Sequence, residues 1–474
     1  MQLAATPTSH ALPFTPADFA TLTQALDYAA KGETGANFFA GRGGIYARLP
    51  YRELRAQSLE LADKLLGLGL VKGDRVALVA KTDPEFVTFF YACQYAGLIP
   101  VALPASVKVG AHCGYVAQLQ RLLEASDAAI AVSPEGYLNF LQEAGEGLNL
   151  RMVATPEEFH ALPAGTGTLP RIDPDDISYI QYTSGSTRFP RGVVITHRTA
   201  MANIRGMIVD GLRITEKDRL VSWLPFYHDM GLVGFVLVPV AAQISVDYLD
   251  TLEFAMRPRQ WLKLMTQSRA TISFAPSFGY DLCARRLRDS DIEQYDLSHW
   301  RVAGIGAEMI RPQTLQYFAD RLAPAGFNAR AFTACYGMAE CTLGISFSAL
   351  GQGFTTHYVD SDHLADAHEV VLMEQGDHTG RGRHFVNCGR PLPSYEVEVR
   401  DENGVSLDDW KSGVIHVRGP SVMSGYFNLP VESADALSED GWLNTGDIGY
   451  LVDGVITITG RKKDLIIIHG RNIW

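Results

Sequence analysis

DRVALVA at 74–80, FVTFFYACQYAG at 86–97, IPVALP at 99–104, YVAQLQRLLEASD at 115–127 and AAIAVS at 128–133 follow one another with only short joins. The first, third and fifth are apolar runs of strand length, and the second and fourth are helical segments. Apolar strands alternating with helices imply βαβ units and a largely parallel sheet. Working outward, the alternation restarts near Ile177 with SYIQY, AMANIRGMIVDGL, RLVSWLP, WLKLMTQSRA, TISFAP and WRVAGIG. From about Asn387 the texture becomes short alternating runs, SYEVEVRD, GVIHVRGP and GYLVDGVITITG, parted by Gly, Asn and Asp, which reads as a small antiparallel barrel or sheet. The expectation is an α/β fold: two α/β subdomains with largely parallel sheets at 1–175 and 176–350, an insertion at 351–386, a small β-barrel subdomain at 387–459 and a hinge-like end at 460–474.

A chain of 474 residues that is 47% hydrophobic can bury a large core. Its 53 acidic and 41 basic residues give a net charge of -12 with no basic stripe, so nucleic acid is not an expected partner. The first lysine or arginine is Lys31 and prolines break the opening, so a secretory leader pattern is missing and a cytoplasmic location is expected. The most apolar stretch, 233–242, contains Gly234 and Pro239 and is about half the roughly 20 residues a spanning helix needs, so no membrane span is expected. The six cysteines show no C-x-x-C pair or zinc-type spacing and read as reduced, buried thiols.

The sharpest local signal is YTSGSTRFPRG at 182–192, placed after a strand and before a helix that starts near Thr196. The hydroxyls of Thr183, Ser184, Ser186 and Thr187, the backbone at Gly185 and the cations Arg188 and Arg191 suit a triphosphate. The Walker A order is absent, and composition alone leaves an ordinary turn as the alternative.

This string resembles the phosphate loop of the adenylate-forming superfamily that includes acyl-CoA ligases, luciferases and peptide-synthetase adenylation domains. In the same order, WLPFYHDMG at 223–231 resembles the segment flanking the carboxylate site, and YGMAE at 336–340 the adenine and magnesium motif. Gly419-Pro420 with Gly425-Tyr426, and WLNTGD at 442–447, resemble the barrel and ribose motifs; GRKKD at 460–464 resembles the hinge. The resemblance implies ATP and Mg2+ as cofactors. Glu340 would supply a hard carboxylate oxygen for Mg2+ with the Thr183 hydroxyl as partner. Asp447 would accept the ribose hydroxyls. Tyr336 would stack on adenine beside Gly337 and Met338, with Gly306, Ala307 and Glu308 as the other wall of the purine pocket. Arg461 would join the nucleotide site and Asp464 would mark the hinge. Arg188 and Arg191 stand where many relatives carry Gly and Lys, and a guanidinium can still grip phosphate. His228 would orient the acyl carboxylate or stabilise charge at the forming mixed anhydride, with a structural histidine as the alternative.

The form Ser-Gly-Ser-Thr-Arg, the string 306–308 followed by Ile310-Arg311-Pro312, NCGRPLP at 387–393 and the insertion resemble fatty acyl-AMP ligases in particular. That resemblance implies that ATP and a fatty acid give acyl-AMP and pyrophosphate, and that the acyl group passes to the phosphopantetheine arm of an acyl carrier protein. It also implies that the insertion restrains a mobile C-terminal domain and disfavours reaction with free CoA. A fatty acyl-CoA ligase and a non-catalytic adenylate-binding module are the alternatives. The insertion carries His357, His363, His368, His378 and His384 among aspartates; without strong metal spacing it reads as a solvated segment. Apolar residues at 274–280 and on the helix after His228 are candidates for the acyl tunnel, with core packing as the alternative. The sequence ends at Trp474, before the domain and lysine that the resemblance implies, so a truncated chain of low activity is expected.

Overall fold

Asp83 starts the helix Pro84–Ala96 by accepting a hydrogen bond from the Phe86 N–H, Pro84 fills a position that needs no donor, and Gly97 closes it at φ 65. Every residue from Phe86 to Ala96 is buried, because this helix is apolar all round and lies between layers. The ring of Phe90 lies 5.8 Å from Tyr179 of one large sheet. That of Phe86 lies 5.5 Å from Phe226, which follows a strand of the other. The computed structural model describes residues 12–105, 112–165, 167–183, 190–374 and 381–462, and the backbone of 466–468 and 471–473.

The first sheet has six strands in the order Met152–Ala154, Ala128–Val132, Arg75–Val79, Ile99–Leu103, Ile177–Tyr182 and Gly192–Thr196. All its ladders are parallel except the last. The second has nine: Arg390–Pro391, Gly344–Phe347, Phe332–Gly337, Val302–Ile305, Ile272–Ala275, Leu220–Ser222, Val246–Leu249, Gly35–Phe39 and Ile45–Pro50. Sheet membership therefore crosses the division at 175/176. Strands 177–182 and 192–196 complete the first sheet, while the N-terminal strand Gly35–Phe39 pairs in parallel with Val246–Leu249 of the second. One contiguous core accordingly runs through both sheets.

The C-terminal runs form a four-stranded antiparallel meander of Glu396–Arg400, Gly413–Arg418, Leu443–Val452 and Val455–Arg461. The insertion is not the solvated segment expected from its charge. Thr356–Asp360 pairs with Gly382–Val386, the helix Ser361–Ala367 leads away from the first of these strands, and Val359, Leu364, Val370 and Phe385 bury themselves against Tyr450 of the meander. Among the described residues no His, Cys, Asp and Glu group of three or more is placed to hold a metal ion. His357 Nδ1 instead lies 2.9 Å from the Tyr450 hydroxyl, and the His384 ring stacks on Tyr358 at 4.6 Å.

No described helix is long and apolar enough to cross a membrane. Cys93, Cys283, Cys341 and Cys388 are buried thiols, Cys335 is half-buried and Cys113 is exposed.

Candidate functional site

A cleft of about 940 Å3 opens between the two large sheets and the meander, and brings together Thr183, Arg191, His228, Ala307, Tyr336, Gly337, Met338, Glu340 and Arg461. Ser184, Gly185, Ser186, Thr187, Arg188 and Asp464 lie outside the described residues. The loop they belong to joins two antiparallel strands: the Thr183 N–H donates to the Arg191 carbonyl at 3.1 Å and closes its base. The helix that follows, His197–Gly206, is capped by Thr196 as its sequence suggests, but the strand Gly192–Thr196 intervenes. The loop is thus the tip of a hairpin rather than a helix N-terminus.

Glu340 sits on a single turn, Ala339–Cys341, at the wall of the cleft and is 9% exposed. The Tyr426 hydroxyl donates to its Oε1 at 2.8 Å. Burial, the largest influence, raises its pKa; Asp229 pushes the same way, while the Tyr426 hydrogen bond and Arg461 oppose them. The ring of Tyr426 in turn lies beneath the Arg191 guanidinium, 5.2 Å from the ring centroid.

Asp447 does not line the cleft and is 3% exposed. Its Oδ2 accepts from the Tyr336 hydroxyl at 2.7 Å and its Oδ1 from Arg461 Nε at 2.9 Å. Each oxygen keeps a second lone pair, and the neighbouring Asn444, Thr445 and Gly446 do face the cleft. Burial and then Asp447 hold the Tyr336 phenol far above its usual pKa, so it stays a donor, and Asp447 keeps Arg461 charged.

His228 is the N-cap of the short helix Asp229–Gly231. Gly231 is needed there because a Cβ would meet the Pro225 carbonyl. His228 Nδ1 and Asp229 Oδ1 are 2.7 Å apart, and the same carboxylate oxygen accepts from the Met230 N–H at 2.6 Å. A carboxylate accepting from both fixes the proton on Nδ1 and leaves Nε2 for a ligand. Burial would lower this pKa, but the charge and hydrogen bond of Asp229 outweigh it and the net shift is upward.

Of the expected purine wall, Ala307 lines the cleft with φ 68, an unusual backbone for alanine, and Gly306 leaves room for Cys335 Sγ. Glu308 is turned away: its carboxylate accepts from the Phe278 N–H at 2.9 Å, and it faces a separate pocket with Arg311 and Arg383.

The inner part of the cleft is apolar, with Met207, Leu212, Phe235, Val238, Ile272 and Phe274 in its walls. Met207 and Phe235 lie in π-helical segments, Met207–Gly211 and Leu232–Leu237, and Leu212 and Val238 follow them directly. Pro239 accounts for the second, since it cannot donate back along an α-helical ladder. Phe274 and the helix after His228 thus face the tunnel, whereas Tyr280 packs wholly into an aromatic core with Trp261, Phe318 and Phe332. Sequence reasoning missed Met207, Leu212 and Ile272, which carry no motif, and saw Tyr426 only as part of a turn string.

A hydroxyl-bearing hairpin loop, a buried carboxylate and an aromatic-walled pocket, opening into one apolar channel, define the adenylate-forming class of enzymes. The chain belongs to the AMP-binding enzyme family, whose model matches residues 26–427. A Caulobacter vibrioides protein provisionally named an acyl-CoA synthetase is 45% identical over 474 residues, all of this chain and 82% of that protein. A medium-chain fatty acid to acyl carrier protein ligase of Teredinibacter turnerae is 37% identical over 480 residues, covering 90% of this chain and 73% of its own. A solved structure from work on fatty acyl-adenylate ligases of E. coli and L. pneumophila superposes with a TM-score of 0.94 at 48% identity, covering 98% of this chain and 83% of that one.

Proposed function

We propose that the chain activates a fatty acid with ATP, giving acyl-AMP and pyrophosphate, and that the acyl group is destined for the phosphopantetheine arm of an acyl carrier protein. The observation that carries this reading is the single cleft in which an apolar channel meets Glu340, Arg191 and His228. An alkyl chain in the channel gains about 0.8 kcal/mol per buried methylene, and its carboxylate then lies at the polar end. A carboxylate oxygen attacks the α-phosphorus of ATP, the bond from that phosphorus to the bridging oxygen breaks, and pyrophosphate leaves. Arg191 neutralises phosphate charge, and His228, with Nδ1 tied to Asp229, presents Nε2 to the acyl carboxylate. Tyr336, with the backbone at Gly337 and Met338 and the turn at Gly306 and Ala307, holds the purine. Asp447 orients Tyr336 and Arg461 around the ribose. These groups act by positioning and by stabilising developing charge.

The residues fit Mg2+: Glu340 Oε2 has no hydrogen-bond donor among the described residues, and burial makes the carboxylate costly without a cation. Glu340 and the Thr183 hydroxyl would hold the ion, which when bound neutralises the charge on the phosphates.

Fatty-acid-dependent exchange of pyrophosphate into ATP, with acyl-AMP seen by mass spectrometry, is the test. No exchange with any saturated acid from about six to sixteen carbons, a range the channel would distinguish at roughly tenfold per two methylenes, would discard this reading. The name of the Caulobacter vibrioides relative supports a second reading, an acyl-CoA ligase. Supplying free CoA or a holo acyl carrier protein and identifying the thioester formed separates the two.

A further inference from the structure

Two parts of the polar end come from distant stretches of chain, the phosphate-loop hairpin at 182–192 and the Glu340 turn at 338–343, and one segment touches both. The Val194 N–H donates to the Gly425 carbonyl at 3.1 Å, and the Phe427 N–H to the Gly192 carbonyl at 2.7 Å, so 425–427 extends the edge of the hairpin. A few residues earlier the same segment grips the turn. The Met423 N–H donates to the Glu340 carbonyl at 2.8 Å and Ser421 Oγ to the Cys341 carbonyl at 2.6 Å. Thr342, held at φ 70, donates its hydroxyl to the Ser421 carbonyl at 3.2 Å. Ser421 is itself fixed from below, because Asn203 Nδ2 lies 3.1 Å from its Oγ and 2.9 Å from the Tyr395 hydroxyl, which also bonds Ser421. Asn203 and Ser421 are fully buried. A buried network of this kind has one satisfied arrangement and is costly to deform.

We propose that 421–427 is a bridge that sets the position of Glu340 relative to the phosphate loop, with Ser421 and Tyr426 as its positioning residues. Tyr426 is where the two ends meet: its hydroxyl holds Glu340 Oε1 and its ring supports Arg191. The bridge acts on the ion–phosphate geometry and not on the purine or the acyl channel. This rests on the reading of Glu340 as the Mg2+ carboxylate.

The test is calorimetric titration of ATP with Mg2+ and with EDTA, alongside a fatty acyl sulfamoyl-adenosine that contains neither pyrophosphate nor metal. In the wild-type chain Mg2+ is expected to tighten ATP binding. In Tyr426→Phe, which keeps the ring under Arg191, that tightening is expected to fall about tenfold, the scale of one hydrogen bond to a charged group. Metal-free ATP and the acyl sulfamoyl-adenosine should bind as before. Ser421→Ala should move the same quantity in the same direction, and if it does not fold, Tyr426→Phe still decides. Unchanged Mg2+ tightening in Tyr426→Phe overturns the proposal, as does an equal loss of all three affinities, which would mark a general structural role. If Glu340→Gln keeps the full tightening, the Mg2+ reading of Glu340 fails instead.

Discussion

The Glu340 carboxylate is held among Tyr426, Asp229 and the cleft wall with its pKa raised chiefly by burial. A carboxyl whose folded-state pKa exceeds its unfolded value binds more protons in the native state between the two, so stability falls as pH rises through that window and stays lower above it. Glu340→Gln keeps the shape and cannot ionise. Without ligand it is therefore expected to melt above the wild type at about pH 8, with the advantage vanishing as pH falls below the ordinary carboxylate range. A melting series against pH checks this; equal melting temperatures throughout would mean that Tyr426 and Arg461 fully compensate the burial. The same substitution is expected to remove Mg2+-dependent adenylation, so stability and activity move in opposite directions at one residue. Asp447 differs, because both its oxygens are already partnered. Asp447→Ala strands the Tyr336 hydroxyl and Arg461, and is expected to weaken nucleotide binding by about 1.5 to 3 kcal/mol. Wild-type affinity by calorimetry would remove Asp447 from the site.

At the scale of elements, what could be read from sequence was what is local. Strands 75–79, 99–103 and 128–132 lie inside a parallel sheet and show as unbroken apolar runs, and Asp83, Gly97 and Thr196 announce helix ends through side-chain and backbone chemistry of their own. The hairpin of Gly35–Phe39 and Ile45–Pro50 carries no such mark: it exposes Ile45 and Tyr46, and its parallel partner is the distant Val246–Leu249. The site divides in the same way. Thr183, His228, Tyr336 and Glu340 belong to short strings, but the pairing of Tyr336 with Asp447 joins residues 111 apart, and the acyl walls arise from π-helical turns that no periodicity foretells. In the insertion, Val359, Leu364, Val370 and Phe385 are too sparsely set among charges to advertise a core, yet they converge on Tyr450. Phe385 is 1% exposed, and Phe385→Ala is expected to cost about 3 to 5 kcal/mol of local packing. Limited proteolysis should then cut within 351–386 at least roughly tenfold faster while nucleotide affinity is kept. Protection equal to wild type would show that the insertion is held by other contacts.

The molecule as a whole is arranged so that its cleft and its core are shared. The main cluster of buried side chains runs from Leu22 through both large sheets to Ile415, Val417, Leu443 and Ile456 of the meander. The cleft draws Thr183 from the first sheet, Tyr336 from the second and Arg461 from the third. A ligand that fits it contacts all three at once. Ligand bound only by the native state adds stability as RT ln(1 + [L]/Kd), about 2.7 kcal/mol at a hundredfold excess over Kd, and that gain reaches every part that must unfold with the site. A fatty acyl sulfamoyl-adenosine is therefore expected to slow amide hydrogen exchange together in Ile177–Tyr182, Phe332–Gly337 and Leu443–Val452, and to shift a single melting transition upward. The outer strand Met152–Ala154, at the far edge of the first sheet from the cleft, should gain only through global unfolding. If the meander kept its ligand-free exchange rates while the two large sheets slowed, Arg461 and its strand would not take part in binding. The pocket would then belong to the large sheets alone.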